Sequence, residues 1–303
     1  MSYLMGLDIG GTKIAGIVLD TYGREIAQDI VALPSSYDDF LRVCTTLTKK
    51  LTDKLDYKGP VGIAIPGTID RFTGTTSFVS NIPYLSGQPL QKDLETALKA
   101  KIYLANDANC AALSESIDGA GKGYNQIFGL VLGTGVGGGL VFNQLLIEGA
   151  NGLAGEVGHL PLPYRDQYDG PVLTCSCGQK GCIDKTISGP GLERLHLSMT
   201  GTTLTAPDIA TLARNNDAKA LQTLDQFYTT IAKATVLIIH MYDPEIIIVS
   251  GGLNALPGLY DKVPAKWGSY ALGAPLKTQF VSAQHGALSG RRGAAWLCLK
   301  PFI

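Results

Sequence analysis

The sequence lacks an excess of charge of either sign and has few charged residues altogether. Lys and Arg number 25 against 26 Asp and Glu, which gives a formal net charge of −1, and only 17% of the 303 residues are charged. Proteins that hold nucleic acid need a basic surface, because they displace counterions from the phosphates. The balance therefore argues against DNA or RNA as a partner. Because 45% of the residues are hydrophobic, the chain has enough material for one large or two medium cores.

Segments for export or membrane insertion are also lacking. The N-terminal residues MSYLMGLDIGG carry no basic stretch, and Asp8 interrupts their apolar run, so no secretory signal is recognisable. A long stretch without a charge, 126–147, contains many glycines together with Asn143 and Gln144, which do not suit a bilayer core. We therefore expect a cytoplasmic protein without membrane contact.

Glycine is the one residue in excess, at 37 of 303 positions, whereas its usual share is about 7%. Two stretches, 4–19 and 127–143, each predict a strand, a glycine turn and a second strand. Strands and amphipathic helices alternate elsewhere, with helices predicted at 37–55 and 218–240. This order predicts an α/β protein with two similar halves around a cleft, where ligands commonly bind.

Two further segments bear on this organisation. The stretch 118–124 is rich in glycine and poor in apolar residues, which predicts a hinge between the halves. The segment EIIIVSGGLNALPG predicts a buried strand that runs into a helix starting at Gly251-Gly252.

The glycine turn at 133–138 formally matches the dinucleotide-binding pattern G-x-G-x-x-G. That pattern requires a helix directly after the glycines, whereas Leu140 to Phe142 continue as a strand, so a Rossmann site is rejected. A turn without Cβ atoms can still direct several backbone N–H groups at phosphate oxygens, and Thr134 adds a hydroxyl.

The turn at 8–13, Asp-Ile-Gly-Gly-Thr-Lys, has the same character and adds an acid that suits Mg²⁺ bridging phosphates. The pattern G-x-x-x-x-G-K-[ST] is absent, which excludes a P-loop. An ordinary glycine hairpin explains either turn alone equally well. Because one such turn lies near the start of each half, the two together favour a pair of phosphate-binding loops.

Asn106 and Asp107 follow a predicted strand and precede a predicted helix, which places Asp107 at the carboxyl end of a sheet. In phosphoryl transfer an aspartate placed there can remove the proton of the attacking hydroxyl, an effect of about 10²–10⁴-fold. Helix capping is the simpler explanation for either residue alone. Pro66-Gly67 and Asn81 to Pro83 would line the same edge, although ordinary turns also account for them.

Three cysteines, Cys175, Cys177 and Cys182, lie within eight residues, and His159 precedes them. A Cys₃His set is a ligand set for tetrahedral Zn²⁺, and because such a set leaves no position for water, the zinc would be structural. Disulfides are disfavoured in a chain without an export signal. The other cysteines are predicted to be small core residues and the other histidines structural or surface residues: Cys44, Cys110, Cys298, His196, His240 and His285.

Seven motifs occur in an order and spacing that resemble the ROK family of bacterial sugar kinases across essentially the whole chain. They are DIGGTK at 8–13, IPG at 65–67, NDAN at 106–109, LGTGVGGG at 132–139, GEVGH at 155–159, CxCGxxGC at 175–182 and SGG at 250–252. The resemblance implies an actin-like and hexokinase-like (ribonuclease H-like) α/β fold, in which two domains close over ATP-Mg²⁺ and a sugar, commonly as a homodimer. The last helix of the family usually returns to the first domain. We therefore expect a smaller domain of residues 1–118 and 288–303 and a larger domain of residues 119–287.

The resemblance also implies roles for individual residues. ATP would be held by Asp8, Gly10, Gly11, Thr12, Lys13, Gly133, Thr134, Gly135, Gly137, Gly138, Gly251 and Gly252. Asp107 would be the base that activates the sugar 6-hydroxyl. The sugar would be bound by Gly67, Asn81, Asn106, Asp107, Glu156, His159 and Asp184, and His159 would also hold zinc with Cys175, Cys177 and Cys182. The family usually has Glu at position 184, so Asp184 is one methylene shorter.

Within the family, SNIPYLSGQPL at 80–90, the run at 104–115 and the long insert between His159 and Cys175 favour phosphorylation of N-acetylglucosamine. Glucose and N-acetylmannosamine kinases of the family are the alternatives. Some members are sugar-responsive transcription repressors with an N-terminal helix-turn-helix, for which the position of Asp8 leaves no room. A sugar-binding module without catalysis is disfavoured by the presence of Asp107 and both glycine loops.

Overall fold

The computed structural model describes residues 3–79, 81–273 and 275–299. In chain order the elements are β1 (Tyr3–Ile9), β2 (Lys13–Asp20), β3 (Glu25–Ala32), α1 (Tyr37–Thr52), β4 (Val61–Ile65), β5 (Thr68–Ile69), β6 (Thr76–Phe78), α2 (Leu90–Leu98), β7 (Ile102–Asn106), α3 (Asp107–Asp118), β8 (Gln126–Leu132), β9 (Val136–Phe142), β10 (Leu145–Ile147), α4 (Ile183–Ile187), α5 (Gly189–Thr200), α6 (Ala206–Arg214), α7 (Ala218–Tyr242), β11 (Ile246–Ser250), α8 (Leu259–Lys266), β12 (Gln279–Ser282) and α9 (Ser289–Trp296). None of the helices in these ranges combines the length and the apolar character needed to cross a bilayer.

The chain divides into two compact units. Unit 1 comprises Met1–Asn125, Gly139–Ala154 and His285–Ile303, and unit 2 comprises Gln126–Gly138 and Gly155–Gln284. This division differs from the predicted domains mainly at 139–154, which group with unit 1 because Gly139 of β9 packs against Ala112 of α3. Residues 1–2 and 300–303 of the predicted first domain lie outside the described residues.

Unit 1 is built on a five-stranded sheet of order β3-β2-β1-β4-β7. The predicted hairpin is confirmed: β1 and β2 pair antiparallel with Ile9 opposite Ile14. Strands β1, β4 and β7 are parallel, with Leu7 opposite Ile63 and Ile63 opposite Leu104. Because carboxyl ends of parallel strands meet at one edge, the segments that follow these three strands lie side by side.

The helix α9 packs on this sheet and closes unit 1. A Cβ atom added at Gly62 of β4 would collide with the carbonyl oxygen of Ala294, and one at Gly6 of β1 with the backbone of Ala295. Glycine at both positions therefore allows the backbone of α9 to approach the strands more closely than other residues permit.

The second sheet has the order β10-β9-β8-β11-β12, and the boundary between the units falls within β9. Strands β8, β11 and β12 are parallel, with Ile247 opposite both Phe128 and Phe280. The predicted helix at 218–240 is confirmed as α7, which is capped by Asp217 and ends before Asp243 in the left-handed conformation.

The predicted helix start at Gly251-Gly252 is wrong. Gly251 has a φ of 87°, which a helix cannot contain, and Leu253 N–H donates to the carbonyl of Leu132 at 3.0 Å. The segment after β11 therefore turns back over the end of β8, and α8 begins only at Leu259.

Candidate active site and metal site

The turn between β1 and β2 carries the first predicted phosphate loop. Gly10 N–H donates to the carbonyl of Lys13 at 2.9 Å, which closes the turn. Asp8 lies at the end of β1, opposite Ala64 of β4. Burial raises the pKa of the Asp8 carboxyl to about 6, although the charges of Arg291 and Lys13 oppose the rise.

Asn106 and Asp107 have different positions at the start of α3. Asn106 is the N-cap: its Oδ1 accepts from Ala108 N–H at 2.8 Å, and its Nδ2 donates to the carbonyl of Gly67 at 3.0 Å. Asp107 is the first helical residue and its side chain is exposed, while its Oδ1 also accepts from Ala108 N–H at 2.9 Å. Helix capping therefore explains the asparagine at 106, but it does not explain the acid at 107.

The remaining predicted sugar residues of unit 1 lie at the same edge. Gly67 follows β4 and is joined to β7 by the Asn106 bond. Asn81 is exposed, and a Cβ added at Gly11 would lie 3.8 Å from the Cβ of Asn81. The structure thus brings Asn81 close to the loop at 8–13 and Gly67 next to Asn106.

In unit 2 the predicted nucleotide residues gather around the turn between β8 and β9. Gly133 N–H donates to the carbonyl of Gly135 at 3.0 Å, and Gly189 N–H donates to the carbonyl of Gly133 at 2.8 Å. A Cβ added at Gly133 would lie 4.0 Å from the backbone nitrogen of Gly252. The turn at 133–138 and the Gly251-Gly252 turn are therefore neighbours.

The predicted metal ligands of unit 2 come together. One ligand atom from each of His159, Cys175, Cys177 and Cys182 lies within 4.8 Å of the other three. The Sγ atoms of Cys177 and Cys182 are 3.7 Å apart, and Cys175 Sγ lies 3.5 Å from His159 Nδ1. With Zn–S bonds of about 2.3 Å, ligand atoms of a tetrahedral site are about 3.8 Å apart, so the four residues fit zinc.

The thiols of this cluster differ in acidity. Burial raises the pKa of the Cys175 thiol, but hydrogen bonds from the Cys177 backbone, Ser176 and His159 outweigh it and lower the pKa to about 7. Burial and the two neighbouring thiols raise the pKa of Cys182 to about 12. Because metals bind thiolates, the lower pKa makes Cys175 easier to recruit as a ligand at neutral pH than Cys182.

Glu156 lies on the other side of the His159 ring. Its Oε2 is 4.0 Å from His159 Nε2, the nitrogen that does not face the cysteines. Burial raises the pKa of the Glu156 carboxyl, and the charge of His159 opposes the rise. His159 therefore connects the three cysteines to Glu156, which is also a predicted sugar ligand.

Sequence reasoning missed two partners of the site. Arg291 of α9 lies near Asp8, and Lys233 of α7 is fully buried with Nζ 2.8 Å from both Asp166 and Asp169 of the insert between His159 and Cys175. A lysine in the most apolar part of a helix was the available signal, since such a charge is buried only when paired.

A model of the ROK family matches residues 4–300. The N-acetyl-D-glucosamine kinase of Photobacterium profundum is 37% identical over 97% of this chain and 99% of its own length, and that of Escherichia coli O139:H28 is 38% identical over 97% and 98%.

Two solved structures are also similar. The ROK hexokinase of Thermus thermophilus has a TM-score of 0.86 and 29% identity, with 99% of both chains covered. A ROK glucokinase of Streptomyces griseus, solved in complex with glucose and AMPPNP, has a TM-score of 0.81 and 28% identity over 99% of this chain and 100% of its own. The predicted actin-like and hexokinase-like α/β fold is therefore confirmed.

Proposed function

The chain belongs to the ROK family, and we propose that it transfers the γ-phosphoryl group of ATP to the 6-hydroxyl of N-acetyl-D-glucosamine. The observation that carries the proposal is the exposed carboxylate of Asp107 at the carboxyl edge of the unit 1 sheet, beside the capping residue Asn106. Full-length similarity to N-acetyl-D-glucosamine kinases supports this choice of sugar.

In this mechanism Asp107 accepts the proton of the sugar hydroxyl as that oxygen attacks the γ-phosphorus. Asn106, held by its bonds to Ala108 and Gly67, orients the start of α3 and offers its amide to the sugar. Glu156, His159, Gly67 and Asn81 complete the proposed sugar site, since amide, imidazole and carboxylate groups pair well with hydroxyls.

For the nucleotide, we propose that the turns at 8–13, 133–138 and 251–252 present backbone N–H groups to the phosphates. Lys13 and Thr12 add a positive charge and a hydroxyl. Asp8 would hold Mg²⁺ through its water shell, and the bound ion would neutralise negative charge on the phosphates.

We further propose a structural zinc held by His159, Cys175, Cys177 and Cys182, whose spacing suits a closed tetrahedral site. Such a metal would hold the His159 ring so that Nε2 stays directed at Glu156 and the sugar. A cytoplasmic homodimer is proposed for the working enzyme. Light scattering of the purified protein tests the dimer, and metal analysis tests the zinc.

A coupled ADP-release assay with glucose, N-acetylglucosamine and N-acetylmannosamine tests the reaction. We expect the highest kcat/KM on N-acetylglucosamine, with product phosphorylated at the 6-hydroxyl by NMR. Equal or greater turnover on glucose or N-acetylmannosamine would assign the chain to one of those alternatives.

A further inference from the structure

The carboxylate of Asp184 reaches the second glycine loop. We infer that Asp184 is a positioning residue for the nucleotide, holding the turn at 133–138 in its phosphate-binding conformation. The inference rests on the proposed function and goes beyond it, because it assigns Asp184 to the nucleotide rather than to the sugar.

The carboxylate is held on both oxygens. Oδ1 accepts from the backbone N–H of Val136 at 2.9 Å, and Oδ2 lies 3.0 Å from Lys185 Nζ. The Asp184 side chain is only 14% exposed. A charged acceptor makes a stronger hydrogen bond than a neutral one. The bond therefore holds Val136, the first residue of β9, firmly to Asp184 of α4.

Gly135 makes the approach possible. A Cβ atom added there would lie 2.8 Å from Asp184 Oδ1, closer than real Cβ atoms come to a neighbour. With glycine at 135, the short aspartate side chain fits between α4 and the turn. A glutamate at 184 would place its carboxylate about 1.5 Å farther along, and the Val136 bond would require the turn to move.

A carboxylate beside a phosphate-binding turn would repel the nucleotide if it were unpaired. Lys185 offsets that charge from the adjacent position. The same end of α4 adjoins the Cys₃His cluster, since Cys182 is the residue at its N-cap and Cys175 Sγ lies 4.0 Å from Asp184 Oδ2. Asp184 therefore joins the cluster to the turn.

The test measures binding of AMPPNP with Mg²⁺ and of N-acetylglucosamine separately by calorimetry, together with zinc content. We expect Asp184→Ala to weaken AMPPNP binding about tenfold, in line with the loss of one charged hydrogen bond. Sugar affinity should change less than twofold, and zinc content should stay unchanged. Asp184→Asn keeps an acceptor for Val136 and should lose less than threefold.

Two further variants sharpen the result. Asp208→Ala removes another first-turn aspartate of unit 2, on α6, and should leave both affinities unchanged. Gly135→Ala should weaken AMPPNP binding by displacing the Asp184 carboxylate. In the double variant with Asp184→Ala, the fold-loss of AMPPNP affinity should be smaller than the product of the two single losses, because both substitutions act on one contact.

Weaker sugar binding with unchanged AMPPNP binding in Asp184→Ala would overturn the inference and return Asp184 to the sugar site. Equal losses of both affinities together with zinc would also overturn it, since they indicate a merely structural residue. These binding measurements need no turnover, so a wild-type protein that binds AMPPNP but phosphorylates none of the three sugars would refute the proposed function alone.

Discussion

Asp107→Asn and Asn106→Ala separate catalysis from helix capping at two adjacent residues. Asparagine at 107 keeps an oxygen for Ala108 N–H, and the side chain at this position is exposed. The variant loses the attraction between a carboxylate and the N-terminus of α3, which is worth up to about 1 kcal/mol in the free energy of unfolding. If Asp107 is the base, kcat falls by at least about 10², which corresponds to about 2.7 kcal/mol of activation free energy.

Asn106→Ala should show the larger loss of stability. It removes the cap, at a cost of about 0.5–2 kcal/mol, and also leaves the Gly67 carbonyl without its side-chain donor. Urea unfolding and steady-state kinetics with N-acetylglucosamine and ATP measure both effects, and Asp208→Asn on α6 is the matched control. Near-normal turnover in Asp107→Asn would remove Asp107 from the mechanism, and a loss of stability that accounts for the lost activity would make it structural.

Three other predictions concern stability, metal and pH. Cys177→Ser should lose zinc by elemental analysis and unfold at a lower temperature, because structural zinc binding and folding are coupled; a wild-type protein without zinc would refute this. Lys233→Met should lower the free energy of unfolding in urea by about 3–5 kcal/mol, because it leaves the fully buried carboxylate of Asp169 without its cationic partner; a loss under 1 kcal/mol would contradict the pairing. The Asp8 pKa of about 6 in the folded state lies above the unfolded value of 3.8. Asp8 therefore stays protonated to a higher pH in the folded state than in the unfolded state, and its ionisation lowers the free energy of unfolding as pH rises from about 4 to 6. Asp8→Asn should therefore be more stable than wild type at pH 8, by up to about 3 kcal/mol, with the difference vanishing near pH 4. In the wild type, the KM for MgATP should rise below pH 6 as Asp8 becomes protonated; equal pH profiles of stability for the two proteins would contradict the assignment.

Local sequence patterns predicted much of the fold. The hairpin at 4–19 follows from strand residues around a glycine pair, and α7 follows from its apolar periodicity and the Asp243-Pro244 stop. The Cys₃His cluster was also predictable, because its three cysteines lie in one short knuckle and His159 comes from farther away.

The remaining features depend on contacts between distant segments. Whether Asn106 or Asp107 caps α3 is decided by the Gly67 carbonyl, which no local pattern reveals. The turn at Gly251 is set by its packing over Leu132. The Val136 bond of Asp184 joins residues that only the folded chain brings together, so sequence alone assigned Asp184 by analogy.

The close contact of α9 with β1 and β4 affects how the chain folds during synthesis. During synthesis β1 emerges long before α9, because all the other strands and helices of both units lie between them in the sequence. Until α9 has emerged, β1 and β4 lack the contacts that it makes at Gly6 and Gly62. Unit 1 can therefore complete its folding only after unit 2 has been fully translated.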